Sequence, residues 1–327
     1  MHDRRKRLLI AIAILAVCTA VPIGAFLARY GISGINVILR GEAHVWRSAK
    51  ADDGRISPAM RLALQAEPPA ATAGAFTWQE LVRGFEVGEL PVLAEEAEVD
   101  RIVLARIDPA HFAFQVGIRA SRDRDALDWM QHFNAALIIN GSYFAQDGSP
   151  STPVVSARAA FGPSDYVAKH GAFVVSAAFV GIRDLARQDW RVALDGTDHA
   201  MVSYPLLIGA DGQSRSKGNP RWLANRSFIA EDGAGRIILG TTRDAFFSLD
   251  RLAAFLRAAP LGLKLALNLD GGPIACQAIV FKEFRRDVCG KWEMATEGND
   301  LKLLTPLLGG KRRWALPIVL AVVPRQP

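Results

Sequence analysis

Cysteine is scarce in this chain. There are three in 327 residues, at positions 18, 276 and 289, and none stands in the spacing of a redox pair or a metal knuckle. Histidine offers no more: none of the six lies at a zinc-type spacing from another ligand. No internal repeat is visible, and no basic run is interleaved with aromatics. The formal charge of +6 is concentrated at the start, where residues 1–30 carry +4 and leave +2 for everything after them. A nearly neutral body without a basic stripe excludes a nucleic-acid footprint. The length needs no staples, because 327 residues hold ample material for one large domain or two small ones.

What the chain does have at its start is a basic cluster, Arg4-Arg5-Lys6-Arg7, followed by Leu8 through Ala28 without a charge. About 20 apolar residues span a bilayer, and the positive-inside rule keeps the cluster cytoplasmic and exports the rest. The expected arrangement is a single-pass inner-membrane anchor over residues 1–30, with the C-terminal domain in the periplasm or outside the cell. A cleaved signal peptide is the competing reading. Residues 31–75 carry Pro58, Pro68, Pro69 and an Ala-rich patch, and read as a spacer. The globular part is then expected over 76–327.

Within that part, many short apolar runs end in turn residues. Examples are 101–107, 171–175, 205–208, 227–230 and 236–239, each bounded by Gly, Asp or Pro. Helical spacing is confined to 125–133 and 248–259, the second opened by Ser248 and stopped by Pro260. The pattern predicts an α+β fold: a large mixed sheet of many short strands with a few flanking helices, preceded by one transmembrane helix. Cys276 and Cys289 both fall in the exported part, where a bridge between them and two separate buried thiols are both open.

Two strands end in polar, glycine-bearing loops. Ala136-Leu137-Ile138-Ile139 runs into Asn140-Gly141-Ser142-Tyr143-Phe144, and Lys264 through Leu269 runs into Asp270-Gly271-Gly272-Pro273. An amide or carboxylate at the end of a buried strand needs a partner or a task. Between them lie Ser203-Tyr204-Pro205 and Asn225-Arg226-Ser227. In this order and spacing the four motifs resemble those of the phosphodiester glycosidase family, the group related to the lysosomal uncovering enzyme, over about residues 76–325. Family members usually place serines after the paired glycines. Pro273, Ile274, Ala275 and Cys276 stand there instead.

The resemblance implies a hydrolase that cleaves a sugar from a phosphodiester in an envelope glycoconjugate. The missing serines keep a second function open, an inactive glycan- or partner-binding module. Departure of a phosphate monoester needs little acid help, whereas a cation that grips phosphate gains value. Arg226 is the expected phosphate fork, Asp270 the key carboxylate, and Asn140 the amide that orients Asp270 or a sugar hydroxyl. Tyr143 is expected to wall the sugar ring, and the N–H groups of Gly271 and Gly272 to line an anion-binding concavity. Asn225, Ser203 and His170 complete the candidate substrate contacts. No cofactor is expected, although a divalent cation held by carboxylates and carbonyls stays open.

Overall fold

The structure is a computed structural model that describes residues 2–39, 44–217, 219–297, 300–307 and 313–325. It opens with a helix, His2–Leu39, whose apolar stretch Arg4–Ala28 is long enough to cross a bilayer and is nowhere buried against the rest of the chain. The body beyond it is α+β, with short strands far outnumbering helices. Among the described residues its strands divide among four sheets, of eight, five, five and four strands.

The eight-stranded sheet is the central layer. Its order runs Leu206–Ile208, Leu263–Asn268, Ser227–Asp232, Ile237–Thr242, Ala97–Ile107, Phe85–Ala94 and Thr72–Ala73, with Gln79–Val82 also paired to Phe85–Ala94. Both faces are covered, which explains why Ile237–Thr242 is buried at every position rather than at alternate ones. On one face Phe85, Val87, Ala105 and Leu239 meet Phe114, Leu137, Ile139 and Leu320 of a five-stranded sheet. On the other, Leu104, Phe228 and Ile238 meet Leu252, Phe255 and Leu256 of the helix Leu249–Ala258. Each such side chain contributes roughly 1.5–3 kcal/mol of burial.

Local sequence sets the helix ends. Asp125 caps Ala126–Phe133 by accepting from the Leu127 and Asp128 amides, and the Asp128 side chain returns the bond to the Asp125 N–H. Ser248 caps Leu249–Ala258 at the expected place.

Residues 44–75 are not a spacer. His44–Ala49 pairs antiparallel with Asp300–Pro306 in the four-stranded sheet. The short helix Pro58–Ala63 buries Met60 and Ala63, and Ile56 just before it, in the core. The prolines misled because Pro58 sits in the first helical turn behind the Ser57 cap, where it is tolerated.

In the five-stranded sheet that carries Asn140, Cys276–Phe281 lies between Phe284–Cys289 and Leu137–Asn140. Cys276 stands opposite Cys289, and the two are joined by a disulfide.

Candidate active site

The ends of several strands meet beside the Asp270 loop. Asn140, the last residue of Leu137–Asn140, is 1% exposed. Its Nδ2 donates to the Asp270 carbonyl at 2.7 Å, and its Oδ1 accepts from the Cys276 N–H at 3.1 Å. The Asp270 N–H returns a bond to the Gly141 carbonyl at 3.1 Å. Asn140 therefore fixes Asp270 through the backbone, as a positioning residue, and its amide does not reach the Asp270 carboxylate.

Arg226 precedes the Ser227–Asp232 strand and is 6% exposed. Its Nη2 donates to the Trp222 carbonyl at 2.8 Å and its Nε to the Phe247 carbonyl at 3.3 Å. Among the described residues it forms no ion pair. Nη1 lies beside Gly271, where a β-carbon would come within 3.4 Å of it. Burial pulls the guanidinium pKa down, opposed by the nearby Tyr143, Glu293 and Asp270. A buried cation held only by carbonyls is costly unless an anion joins it.

Two carboxyl groups face this cation. Burial, reinforced by the charge of Glu293, pushes the Asp270 carboxyl up to about 8, against the Gly271 N–H and Arg226. Glu293 opens the strand Glu293–Glu297, and its Oε1 accepts from the Trp222 indole N–H at 3.0 Å. Burial raises its pKa as well, with Trp222 and Arg226 pulling the other way. With the charge of Glu293 beside it and its pKa near 8, the Asp270 carboxyl keeps its proton at neutral pH.

The paired glycines have a steric reason. A β-carbon at Gly271 would lie 2.9 Å from the Asn225 carbonyl, and one at Gly272 would lie 2.4 Å from Glu293 Oε2, at a φ of +70°. Their N–H groups are already engaged: Gly271 donates to Asp270 Oδ1 at 2.8 Å and Gly272 to the Asn225 carbonyl at 2.9 Å. These two amides are therefore not free to line the expected anion concavity.

Tyr143 stacks on Tyr204 with ring centroids 4.2 Å apart. Its hydroxyl donates to the Tyr204 carbonyl at 2.9 Å and accepts from Asn268 Nδ2 at 2.8 Å. Burial and the neighbouring Asp270 hold that hydroxyl protonated. His170 extends the row, 6.1 Å from Tyr204, with its Nδ1 accepting from the Leu206 N–H. Burial and Arg215 lower its pKa, so the ring is neutral at neutral pH.

Two expected contacts are structural instead. Asn225 donates to the Thr242 and Asp244 carbonyls and accepts from the Lys291 and Trp292 amides, which fills its capacity. It thereby fixes the backbone that delivers Glu293. Ser203 donates to the Asn268 carbonyl at 2.6 Å and is fully buried.

Glu293, Trp222, Tyr204 and Asn268 were not picked out as site residues from sequence. Tyr204 and Asn268 lie inside the quoted motifs, which is a signal. Glu293 follows Lys291-Trp292 in a stretch with no motif at all. Among the described residues no group of three or more His, Cys, Asp or Glu gathers as a metal site. A separate cavity of about 550 Å³, lined by Lys50, Leu64, Arg221, Thr296 and Asp300 among others, holds none of the groups above.

Comparisons with known proteins bear on the family and the fold. Residues 133–285 match the family model of the phosphodiester glycosidases. That segment is a domain of this family of hydrolases, and it contains Asn140, Tyr143, Arg226 and Asp270, while Glu293 falls outside it. No curated protein matches the chain. Among solved structures, the catalytic domain of zebrafish N-acetylglucosamine-1-phosphodiester alpha-N-acetylglucosaminidase, auto-inhibited by its pro-peptide, is similar in fold. The TM-score is 0.50 at 12% identity, over 86% of this chain and 88% of that one. A hypothetical protein from Synechocystis matches with a TM-score of 0.45 at 16% identity, over 77% and 64% of the two chains. A protein of Burkholderia pseudomallei described as exported matches at 0.39 and 12%, over 72% and 76%.

Proposed function

We propose that this chain is a membrane-anchored, extracytoplasmic phosphodiester glycosidase that cleaves a sugar from a phosphodiester of an envelope glycoconjugate. The observation that carries the reading is the buried Arg226, without an ion-pair partner among the described residues and set against two carboxyl groups of raised pKa. A phosphodiester supplies the missing anion. Placed against Arg226 Nη1, its phosphate lies on the Glu293 and Trp222 side, and its anomeric carbon on the side of Asp270 and Tyr143.

The bound anion draws the Asp270 proton to Glu293 and leaves the charge on Asp270. As the bond between the anomeric carbon and oxygen breaks, Arg226 and the Glu293 proton meet the charge growing on phosphate. Asp270 meets the positive charge on the sugar until water adds to the anomeric carbon and gives its proton to Asp270, so that the products are free sugar and a phosphate monoester. Tyr143, kept protonated, walls the ring. The apolar helix supports the anchored, exported location.

The test is sugar release from a panel of glycosyl 1-phosphodiesters. Wild type is expected to release sugar, and Asp270→Asn to be slower by about 10²–10⁴-fold. No release from any member, or equal release by both proteins, overturns the proposal. Binding without release favours the inactive glycan-binding module.

A further inference from the structure

The domain begins close to the end of the apolar helix. Helix rise carries Leu39 about 16 Å beyond Ala28, and the chain from there to His44 adds at most about 17 Å. A domain of this size is roughly 50 Å across. Its His44 end therefore faces the bilayer whichever way the link runs. His44–Ala49 is the edge strand of the four-stranded sheet and pairs with Asp300–Pro306, which in turn pairs with Glu293–Glu297. Side chains alternate along strands, so Leu303 and Met294 point into the core while Trp46, Lys302, Leu304 and Glu293 share the outer face.

That face combines indoles with cations. Trp222 lies against it, donating to Glu293 Oε1 and meeting Trp46 edge to face with ring centroids 5.9 Å apart. The two indoles are 42% and 40% exposed. The cavity of about 550 Å³ is lined by Ser48 of the same face, by Lys50 and Arg221, and by Thr296 and Asp300. Two cations meet one carboxylate there, and Arg47 adds a third cation on the open edge. Neither Lys50 nor Arg221 forms an ion pair among the described residues. Tryptophan settles at the boundary between water and hydrocarbon, and basic side chains beside it attract anionic headgroups.

We propose that this outer face rests on an anionic phospholipid surface, with a headgroup phosphate in the Lys50–Arg221 cavity and the two indoles in the interface, an inference that rests on the anchored reading above. The helix keeps the face at high local concentration near the lipid, so a patch too small to hold a free domain on a membrane still docks. A second copy is a poor occupant, because two basic faces repel. Strands lie about 4.8 Å apart, which sets Glu293 about 10 Å across the sheet from the edge strand. The site beside Glu293 then opens onto the headgroup layer.

The test uses the full chain in vesicles of phosphatidylcholine, alone or with phosphatidylglycerol, whose acyl chains carry bromine near the headgroup. The apolar helix holds no tryptophan, so quenching of tryptophan fluorescence by bromine reports on the domain. Quenching is expected with phosphatidylglycerol and is expected to fall in phosphatidylcholine alone and in Trp46→Phe. Lys50→Gln and Arg221→Gln should each lower the ratio of docked to undocked domain about fivefold. Quenching equal in the two lipids, or unchanged in Trp46→Phe and in both glutamine variants, overturns the docking face. A chain that floats with the vesicles but shows no quenching keeps its anchor and loses the face, whereas a chain that does not float loses both. Lipid-dependent quenching in a protein that turns over no phosphodiester leaves the face standing and the hydrolase reading refuted.

Discussion

Arg226 and Asp270 define the electrostatics of the site one residue at a time. Replacing the guanidinium by an ammonium removes the planar fork but keeps the charge, so Arg226→Lys is expected to raise KM for a phosphodiester about tenfold or more. A KM equal to wild type would mean that phosphate binds elsewhere. Asp270 also leaves a mark on stability. Its folded pKa of about 8 stands far above the ordinary carboxylate range, so the fold favours the protonated form. The contribution is fully present below the unfolded value and is lost as pH rises through about 8. Asparagine does not titrate. Asp270→Asn should therefore melt roughly 5 °C higher than wild type at alkaline pH, with the gap closing toward pH 4. A gap independent of pH would show that Asp270 is not desolvated.

At the scale of elements, one covalent link ties the two carboxylate arms. Asp270 and the Gly272–Ile274 turn lead into Cys276, and Cys289 leads through Gly290 to Glu293. The disulfide joins those arms at their base, and the Gly290 N–H to Ala275 carbonyl bond at 2.8 Å lies just inside it. The arms hold where serines stand in the related family. Replacing both cysteines by serine should cost on the order of 3 kcal/mol of stability. It should also lower kcat at temperatures where the domain is still folded, and an unchanged kcat there would limit the bridge to stability.

The strands that deliver Asn140 and Asp270 were legible because each is a short apolar run with a polar loop at its end. Glu293 was not, because its place depends on Asn225 binding the Lys291 and Trp292 amides across 66 and 67 residues of chain. The roles of the Gly271 and Gly272 amides were misread for a similar reason. Sequence shows that glycine is needed, and only the fold shows that approach of Asn225 and Glu293 is the need.

In the whole molecule, the segment after the apolar helix is part of the domain. A chain starting at residue 44 should fold and stay in solution, and the full chain should float with lipid vesicles. A chain starting at residue 76 loses the His44–Ala49 pairing together with Ile56, Met60 and Ala63. Each buried side chain of this kind contributes about 2–5 kcal/mol, so that fragment should melt far lower or fail to fold. Equal melting of the two fragments would show that residues 44–75 are dispensable. Architecture was readable as many short strands with few helices, whereas their division among four sheets rests on long-range pairings that no local pattern reveals.

The most direct test of the central claim, that burial and the charge of Glu293 keep a proton on Asp270 beside Arg226, is the pH profile of kcat/KM on a glycosyl phosphodiester. Wild type should give a bell whose alkaline limb lies at about 8, where the Asp270 proton is lost. Glu293→Gln keeps a donor for phosphate and removes the repelling charge, so it should retain measurable activity without that limb. A wild-type profile flat through pH 8, or an alkaline limb that persists unmoved in Glu293→Gln, would contradict the pairing of the two carboxyls.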